Sequence, residues 1–518
     1  MESADGVTQV ADAIVIGGGL TGLACAHELK RRGHSVHLIE ASAKVGGVVG
    51  TFETGGFLFE AGPNTVPSTA QNVRELSAEL GVADQLVTSR PEAARRYLFK
   101  DGGLHELPSS PSALLRTGLL SRKGRMRVLT EPLRRFDPET YGGAEPTFEQ
   151  FLTERIGPEA TRTFAGAFVR GVYAAEIDEL GARSAFPRVW KMASEHGGLV
   201  RGMVARMREK KRARKAGVPL PPGPRTRGGD LLSFSGGFGV LVNAFESALA
   251  GHVSRNTQIA EIERGPGGWR AVLETGEALA CRELVLAVPG SAALPLLSMC
   301  APSRLDLGAL KAVEHAAVTS VHLGLENAPL PPGFGFLVPP DEERRGDPRT
   351  PGVLGMLFVS NLFHGRAPSG TSSVTAMFRG GEVADLVGDT LVDAGVLALE
   401  KALVGYEATH PGAPKRTRAP RVVASRTRRW TGVIPRYAPG HIERFELLRR
   451  SSERILPGLH LAGNYVGGVS VDDRLGHGRN VAAQVSERLA HLTELREDHA
   501  AKRGRFAGSD GSDVQEAR

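Results

Sequence analysis

Only three cysteines occur in 518 residues, Cys25, Cys281 and Cys300, and no two stand at the C-x-x-C spacing of a zinc site or redox dithiol. A reducing compartment and no metal site are therefore expected. Long apolar runs are also missing. The best, residues 284–288, is closed off by Glu283 and Pro289, far short of the roughly 18 residues a spanning helix needs. Residues 1–12 are acidic and polar and lack the basic and apolar regions of a secretory leader, so the expected location is cytoplasmic. Net charge is +7, yet the basic run at residues 201–215 has no interleaved aromatics, so nucleic acid is not an expected partner. The positive surplus suits an anionic lipid surface or a carboxylate-bearing substrate.

What is present is a long chain with 65 glycines. Single cores stop growing at roughly 250 to 300 residues, so two or three domains are expected. Residues 13–16 read as a buried strand, 20–32 as a helix and 35–39 as a second strand, which makes one βαβ unit. Residues 148–156 and 158–168 read as helical. Residues 97–99, 104–107, 259–262, 269–273, 284–288, 320–325, 355–359 and 374–378 read as strands, and residues 385–404 as a helix. Residues 215–230 are too rich in proline and glycine for regular structure, and the chain beyond 492 reads as a polar, mobile tail.

Between the first strand and helix stands Gly17-Gly18-Gly19-Leu20-Thr21-Gly22, a G-x-G-x-x-G, with Glu40 ending the next strand. The first glycine permits the turn and the second lets backbone amides approach a pyrophosphate. The third allows helix and strand to touch, and Glu40 accepts from a ribose hydroxyl. Strand, helix and acid together point to a dinucleotide. Ala41 and Lys44 lead into a second glycine pair, Gly46-Gly47, whose amides suit the same phosphates. Near the C-terminus, residues 460–473 read as a strand, a glycine loop and a helix start at Val469-Ser470-Val471, where free amides suit flavin oxygens or phosphate.

The two glycine motifs together resemble the amine-oxidase-like FAD superfamily, although Val48 stands where that group commonly carries arginine. The 460–473 stretch, and Ile434-Pro435-Arg436-Tyr437 followed by Gly440-His441, resemble the oxygen-dependent protoporphyrinogen oxidase family. Further matches lie at residues 168–174, Phe186-Pro187, 234–237 and 333–339, so the resemblance covers roughly residues 10–490 in order.

The resemblance implies an α/β (α+β) fold. It has a discontinuous Rossmann-like FAD-binding domain (residues 1–88, 232–305 and 445–493) and a sheet-based substrate domain (89–110, 216–231 and 306–444). A helical, membrane-facing domain (111–215) and a polar tail (494–518) complete it. FAD is expected to be held non-covalently by Gly17, Gly19, Leu20, Thr21, Gly22, Glu40, Ala41, Lys44, Gly46, Gly47, Gly62, Pro63, Asn64, Val469, Ser470 and Val471. A porphyrinogen is the implied substrate, with Arg96 pairing a propionate and Phe334, Gly335, Leu337 and Met377 lining an apolar slot. Asn64 orients the macrocycle, and Asn64 and Arg96 are the residues expected to act on the reaction. Six electrons leave in three two-electron rounds to the flavin, each ended by molecular oxygen with release of peroxide.

A related coproporphyrinogen III oxidase, whose substrate carries four propionates, is the nearest alternative, and another amine-oxidase-like flavin oxidase is the next. Leu199, Val200, Met203, Val204 and Met207 recur at helical spacing among basic residues, a pattern shared by interfacial helices and by solvated basic faces. An anionic membrane surface, on its inner face, and a second copy of the chain therefore stand as expected partners.

Overall fold

The computed structural model describes residues 7–215, 231–265, 267–413, 416 and 418–507. Most of the proline-rich stretch, residues 216–230, lies outside the described residues.

The strand Val7–Ile16 starts six residues before the apolar run that announces it, because its whole length pairs in parallel with Ala278–Leu286. On its other side it pairs with Val36–Ile39, which pairs in turn with Val253–Ser254. Leu459–Leu461 adds a further parallel strand beside Ala278–Leu286, and the antiparallel pair Ile259–Gly265 and Gly268–Leu273 completes a seven-stranded sheet. This sheet is buried on both faces, as parallel sheets require. One face packs Leu23 and Leu29 of the helix Leu20–Arg31 with Phe245 of Gly239–Ala248 and Val485 of the last helix. The other packs Leu284 and Leu286 with Leu297 and Phe445.

A second seven-stranded sheet runs in the order Arg421–Pro435, His315–Glu326, Ser372–Arg379, Val353–Leu357, Gly335–Leu337, Tyr97–Lys100, Gly103–Glu106. Val321, Leu323, Val374 and Ala376 point from one of its faces into the helix Asp389–Thr409. That helix begins four residues later than its periodicity suggests, at Gly388, whose φ of 53° ends the preceding turn. Strand character ends at Leu357 instead of Val359. The chain there turns into Val359–Leu362, held by Asn361 donating to the Pro331 carbonyl at 2.8 Å.

Residues 111–215 form a helical lobe with its own aromatic core, in which Phe136 packs edge-on to Phe151 and Trp190 at 5.2 Å. The expected single helix over 158–168 is Pro158–Ala160, a π-helical turn Thr161–Gly166, and Ala167–Tyr173. At that turn Gly166 lets the chain run against Pro340, where a Cβ would stand only 3.2 Å away. Leu199–Lys215 is a continuous helix, separated from Pro187–His196 by Gly197 and Gly198, both at positive φ.

Part of the expected polar tail, residues 494–507, is helical, and residues 508–518 lie outside the described residues. Val471–Ala507 is one helix of 37 residues, running past both 485 and 494. Its later part is rich in helix formers and has no proline, so helical hydrogen bonding continues. Among the described residues no helix is long and apolar enough to cross a membrane.

Candidate active site

The first glycine motif turns at the end of Val7–Ile16, where the Gly17 amide donates to the Ile39 carbonyl at 2.8 Å. A Cβ on Gly22 would lie 1.9 Å from the Gly17 carbonyl oxygen, so glycine is required for the helix to start this close to the strand. Beside Gly19 a Cβ would meet nothing within 4 Å, leaving open space over the helix N-terminus. Leu20 and Thr21 are buried beneath that opening. Glu40 reaches back from the second strand, accepting the Gly18 amide at 2.6 Å and the Ser42 amide at 2.8 Å.

The second glycine pair lies against the first. The Gly46 amide donates to the Gly18 carbonyl at 2.7 Å, and Gly46 and Gly47 hold φ of 104° and 61°, which side-chain-bearing residues rarely adopt. Ala41 and Lys44 are exposed at the outer rim. The segment from Ala61 folds back on this turn: the Ala61 amide donates to the Gly50 carbonyl at 2.8 Å, and a Cβ on Gly62 would reach 2.4 Å from the Val48 carbonyl oxygen. Pro63 and Asn64 follow, half-buried, with the Asn64 amide nitrogen donating to the Gly62 carbonyl and its Oδ1 buried without a partner.

The C-terminal loop arrives beside this cradle because Leu459–Leu461 pairs with Ala278–Leu286, the neighbour of the first strand. Val469 packs into the core of the helical lobe, Ser470 exchanges hydrogen bonds with Asp473 at the helix start, and Val471 is buried with the cofactor-side core. The Tyr437 hydroxyl donates to the Asn464 carbonyl, His441 Nε2 donates to the Tyr465 carbonyl at 2.7 Å, and Arg474 donates to the carbonyls of Gly463 and Val466. The Tyr and Gly-His motif near residue 440 is thus a brace that orients the carbonyls of residues 463–466, a role its sequence spacing did not disclose. Trp430 joins the same group by donating Nε1–H to the Ala61 carbonyl at 2.9 Å.

These residues fit a flavin dinucleotide. Two glycine turns in contact leave an open helix N-terminus, the acid Glu40 ends the second strand beside them, and two buried amide oxygens, Asn64 Oδ1 and Asn464 Oδ1, lack donors.

On the second sheet Arg96 lies over the Phe334 ring at 5.5 Å, and the Phe334 amide donates to the Arg95 carbonyl at 2.7 Å. Gly335 is needed where it stands, since a Cβ would meet the Met356 carbonyl oxygen at 2.0 Å. Leu337 and Met377 sit beneath the helix Ala167–Tyr173, against Gly171 and Ala174. Arg96 and the Trp430 to Ala61 contact belong to strands five places apart in the sheet, about 24 Å at the usual strand spacing. The arginine and the segment carrying Asn64 therefore stand toward opposite edges of the second sheet.

Comparison with known proteins follows the same lines. The family described as flavin containing amine oxidoreductase matches residues 20–486. The chain belongs to that family. It is an FAD-dependent oxidoreductase. A chloroplastic protoporphyrinogen oxidase of Nicotiana tabacum is 28% identical over 92% of this chain and 85% of its own. A coproporphyrinogen III oxidase of Bacillus subtilis (strain 168) is 24% identical over 92% of this chain and 98% of its own. A solved structure from Exiguobacterium sp. 255-15 superposes with a TM-score of 0.72 at 20% identity, covering 93% of this chain and 100% of that one, which shows the fold alone.

Two outcomes are expected of the brace. Tyr437→Phe leaves the Asn464 carbonyl without its donor, and a buried group so orphaned costs about 1–3 kcal/mol. Its FAD dissociation constant, measured by flavin fluorescence on dilution, is expected to rise roughly tenfold, one factor of ten per 1.4 kcal/mol. Burial holds His441, and His322 in the middle of the strand His315–Glu326, down to about 4. Unfolded histidine titrates near 6.5, so between about pH 6.5 and 4 the unfolded chain binds the extra protons and native stability falls as pH drops. A thermal midpoint of the holoprotein that stayed level from pH 7.5 to 5 would contradict this.

Proposed function

We propose that this oxidoreductase acts on a porphyrinogen, oxidising protoporphyrinogen IX to protoporphyrin IX with molecular oxygen as acceptor and peroxide as product. The observation that carries this is Arg96. It lies across an aromatic ring at the edge of the second sheet and has no acidic partner among the described residues, unlike the buried Arg170. A guanidinium free of carboxylate and backed by an aromatic surface suits an apolar macrocycle that carries a carboxylate. The names of the two relatives above accord with the reading, and division of the chain into cofactor, substrate and helical parts along the boundaries expected from sequence is part of it.

FAD, when bound along the two glycine turns and Val469 to Val471, supplies a two-electron acceptor that oxygen can regenerate. The chain's own side chains position and enclose. Arg96 binds a propionate and fixes one edge of the ring. Asn64 Oδ1, buried and lacking a donor, stands beside the cofactor cradle and orients the edge of the macrocycle far from Arg96. Gly335 keeps the strand surface flat beside Phe334. We assign no nucleophile, since burial pushes the Cys25 and Cys281 thiols up to about 12.

A second reading concerns where the protein works. Leu133, Met126, Met203 and Met207 are 80%, 55%, 54% and 65% exposed. They lie on adjoining segments of the helical lobe, because Glu131 accepts the Leu199 and Val200 amides and ties the start of Leu199–Lys215 beside Leu133. Arg122, Lys123, Arg125, Arg201, Arg206 and Arg208 surround them. Apolar side chains ringed by cations suit the inner face of an anionic membrane, on which the protein rests without crossing.

Purified flavoprotein is expected to turn over protoporphyrinogen IX aerobically, seen as porphyrin fluorescence and peroxide. Arg96→Ala should lose about 10- to 100-fold in kcat/KM, mostly through KM, as a charged hydrogen bond worth about 1.5–3 kcal/mol disappears. No porphyrin from the intact protein would end the reading. Sedimentation with vesicles containing anionic lipid should carry the protein down at low salt and fail for the double variant Leu133→Glu, Met203→Glu. Equal pelleting of the two proteins would remove the membrane assignment.

A further inference from the structure

The helix Ala167–Tyr173 presents three faces. Ala167 packs on Leu98 of the second sheet, and a Cβ on Gly171 would come 2.4 Å from the Leu337 side chain. Ala174, in the left-handed conformation at the helix end with φ of 48°, packs on Val318, Leu354 and Met377. Val169 and Tyr173 point into the core of the helical lobe.

Arg170 fixes the third direction. It is 1% exposed and pairs with Glu343, just beyond Gly335–Leu337, and with Glu176 at 3.8 Å. Glu176 also pairs with Arg379, the last residue of its strand. All of these lie at one end of the sheet. At about 100° per residue, Phe168 and Val172 stand on the side of the helix opposite Arg170. They therefore look along the sheet toward its other end, where Gly335, Phe334 and Arg96 stand. Both are apolar, yet they are 48% and 41% exposed.

We infer that Phe168 and Val172 form the apolar wall of the substrate slot facing Arg96 and Phe334, and that this wall sets substrate preference. The inference rests on the porphyrinogen reading and deepens it. A macrocycle whose carboxylate is held at Arg96 presents its far edge to Phe168 and Val172. Protoporphyrinogen brings vinyl groups there and loses only water from apolar surface. Coproporphyrinogen brings propionates, which would be stripped of water against these apolar side chains, because Arg170 on the same helix is turned away and already paired. The wall therefore favours protoporphyrinogen.

The test is kcat/KM on both porphyrinogens, measured side by side for holoprotein of wild type, Phe168→Ala and Val172→Lys, with flavin content and thermal midpoint as checks on folding. Wild type is expected to prefer protoporphyrinogen. Val172→Lys places a cation at the wall and should move the preference toward coproporphyrinogen by roughly tenfold or more, while Phe168→Ala should lower kcat/KM for protoporphyrinogen by a similar factor. A wild type preferring coproporphyrinogen, or flavin-loaded variants with an unchanged ratio, would overturn the wall while leaving porphyrinogen oxidation in place. A wild type active on neither substrate would instead remove the porphyrinogen reading, and the wall with it.

Discussion

A Cβ on Gly478 would lie 2.3 Å from the Thr21 carbonyl oxygen, and the cofactor cradle depends on this close approach of two helices. Leu20–Arg31 belongs to the first βαβ unit and Val471–Ala507 to the end of the chain. Only because Gly478 carries no side chain at the crossing can the loop of residues 463–470 reach the glycine turn of residues 17–22. The same economy recurs at Gly22 over Gly17 and at Gly62 over Val48, so the cradle is made by backbone packed on backbone. Amides left free in such a place attract phosphate and carbonyl oxygen, which is why the site binds through main chain more than through side chains.

Around that cradle the polar side chains mostly hold other parts of the protein in position. Tyr437, His441 and Arg474 are spent on the carbonyls of the C-terminal loop, Trp430 on the carbonyl of Ala61, and Arg366 on those of Phe234 and Ser235. Arg170 is spent on joining the helical lobe to the sheet. Arg96 differs in being free of such duties, and Asn64 keeps one acceptor unused. In a site whose electron chemistry resides in a cofactor, a few uncommitted groups are enough to hold and orient a large substrate, provided the surrounding frame is rigid.

The helical lobe serves that frame in two ways. Its inner side meets the sheet through Ala167, Gly171 and Ala174, small residues that bring the helix down close, and its outer side carries Leu133, Met203 and Met207 into solvent.

Sequence by itself determined the parts whose geometry is local. The G-x-G-x-x-G turn, its strand, helix and acid lie within 28 residues, and short-range sterics decide their shape, so the dinucleotide cradle and the mixed α/β class were legible. Arg96 is marked only by the family resemblance, since an arginine pair before an aromatic strand is by itself a common surface pattern. That helix continues through residues 494–507 was not legible, because the segment carries no apolar stripe to announce it. Only tertiary structure decided that Phe336 pairs with Tyr97, that Tyr437 braces Asn464, and that Phe168 and Val172 stay exposed on their helix. These contacts join residues that are mostly tens to hundreds of positions apart. Strand order and helix rotation fix them, and both follow from how whole faces bury against one another; no pattern within a single segment records them.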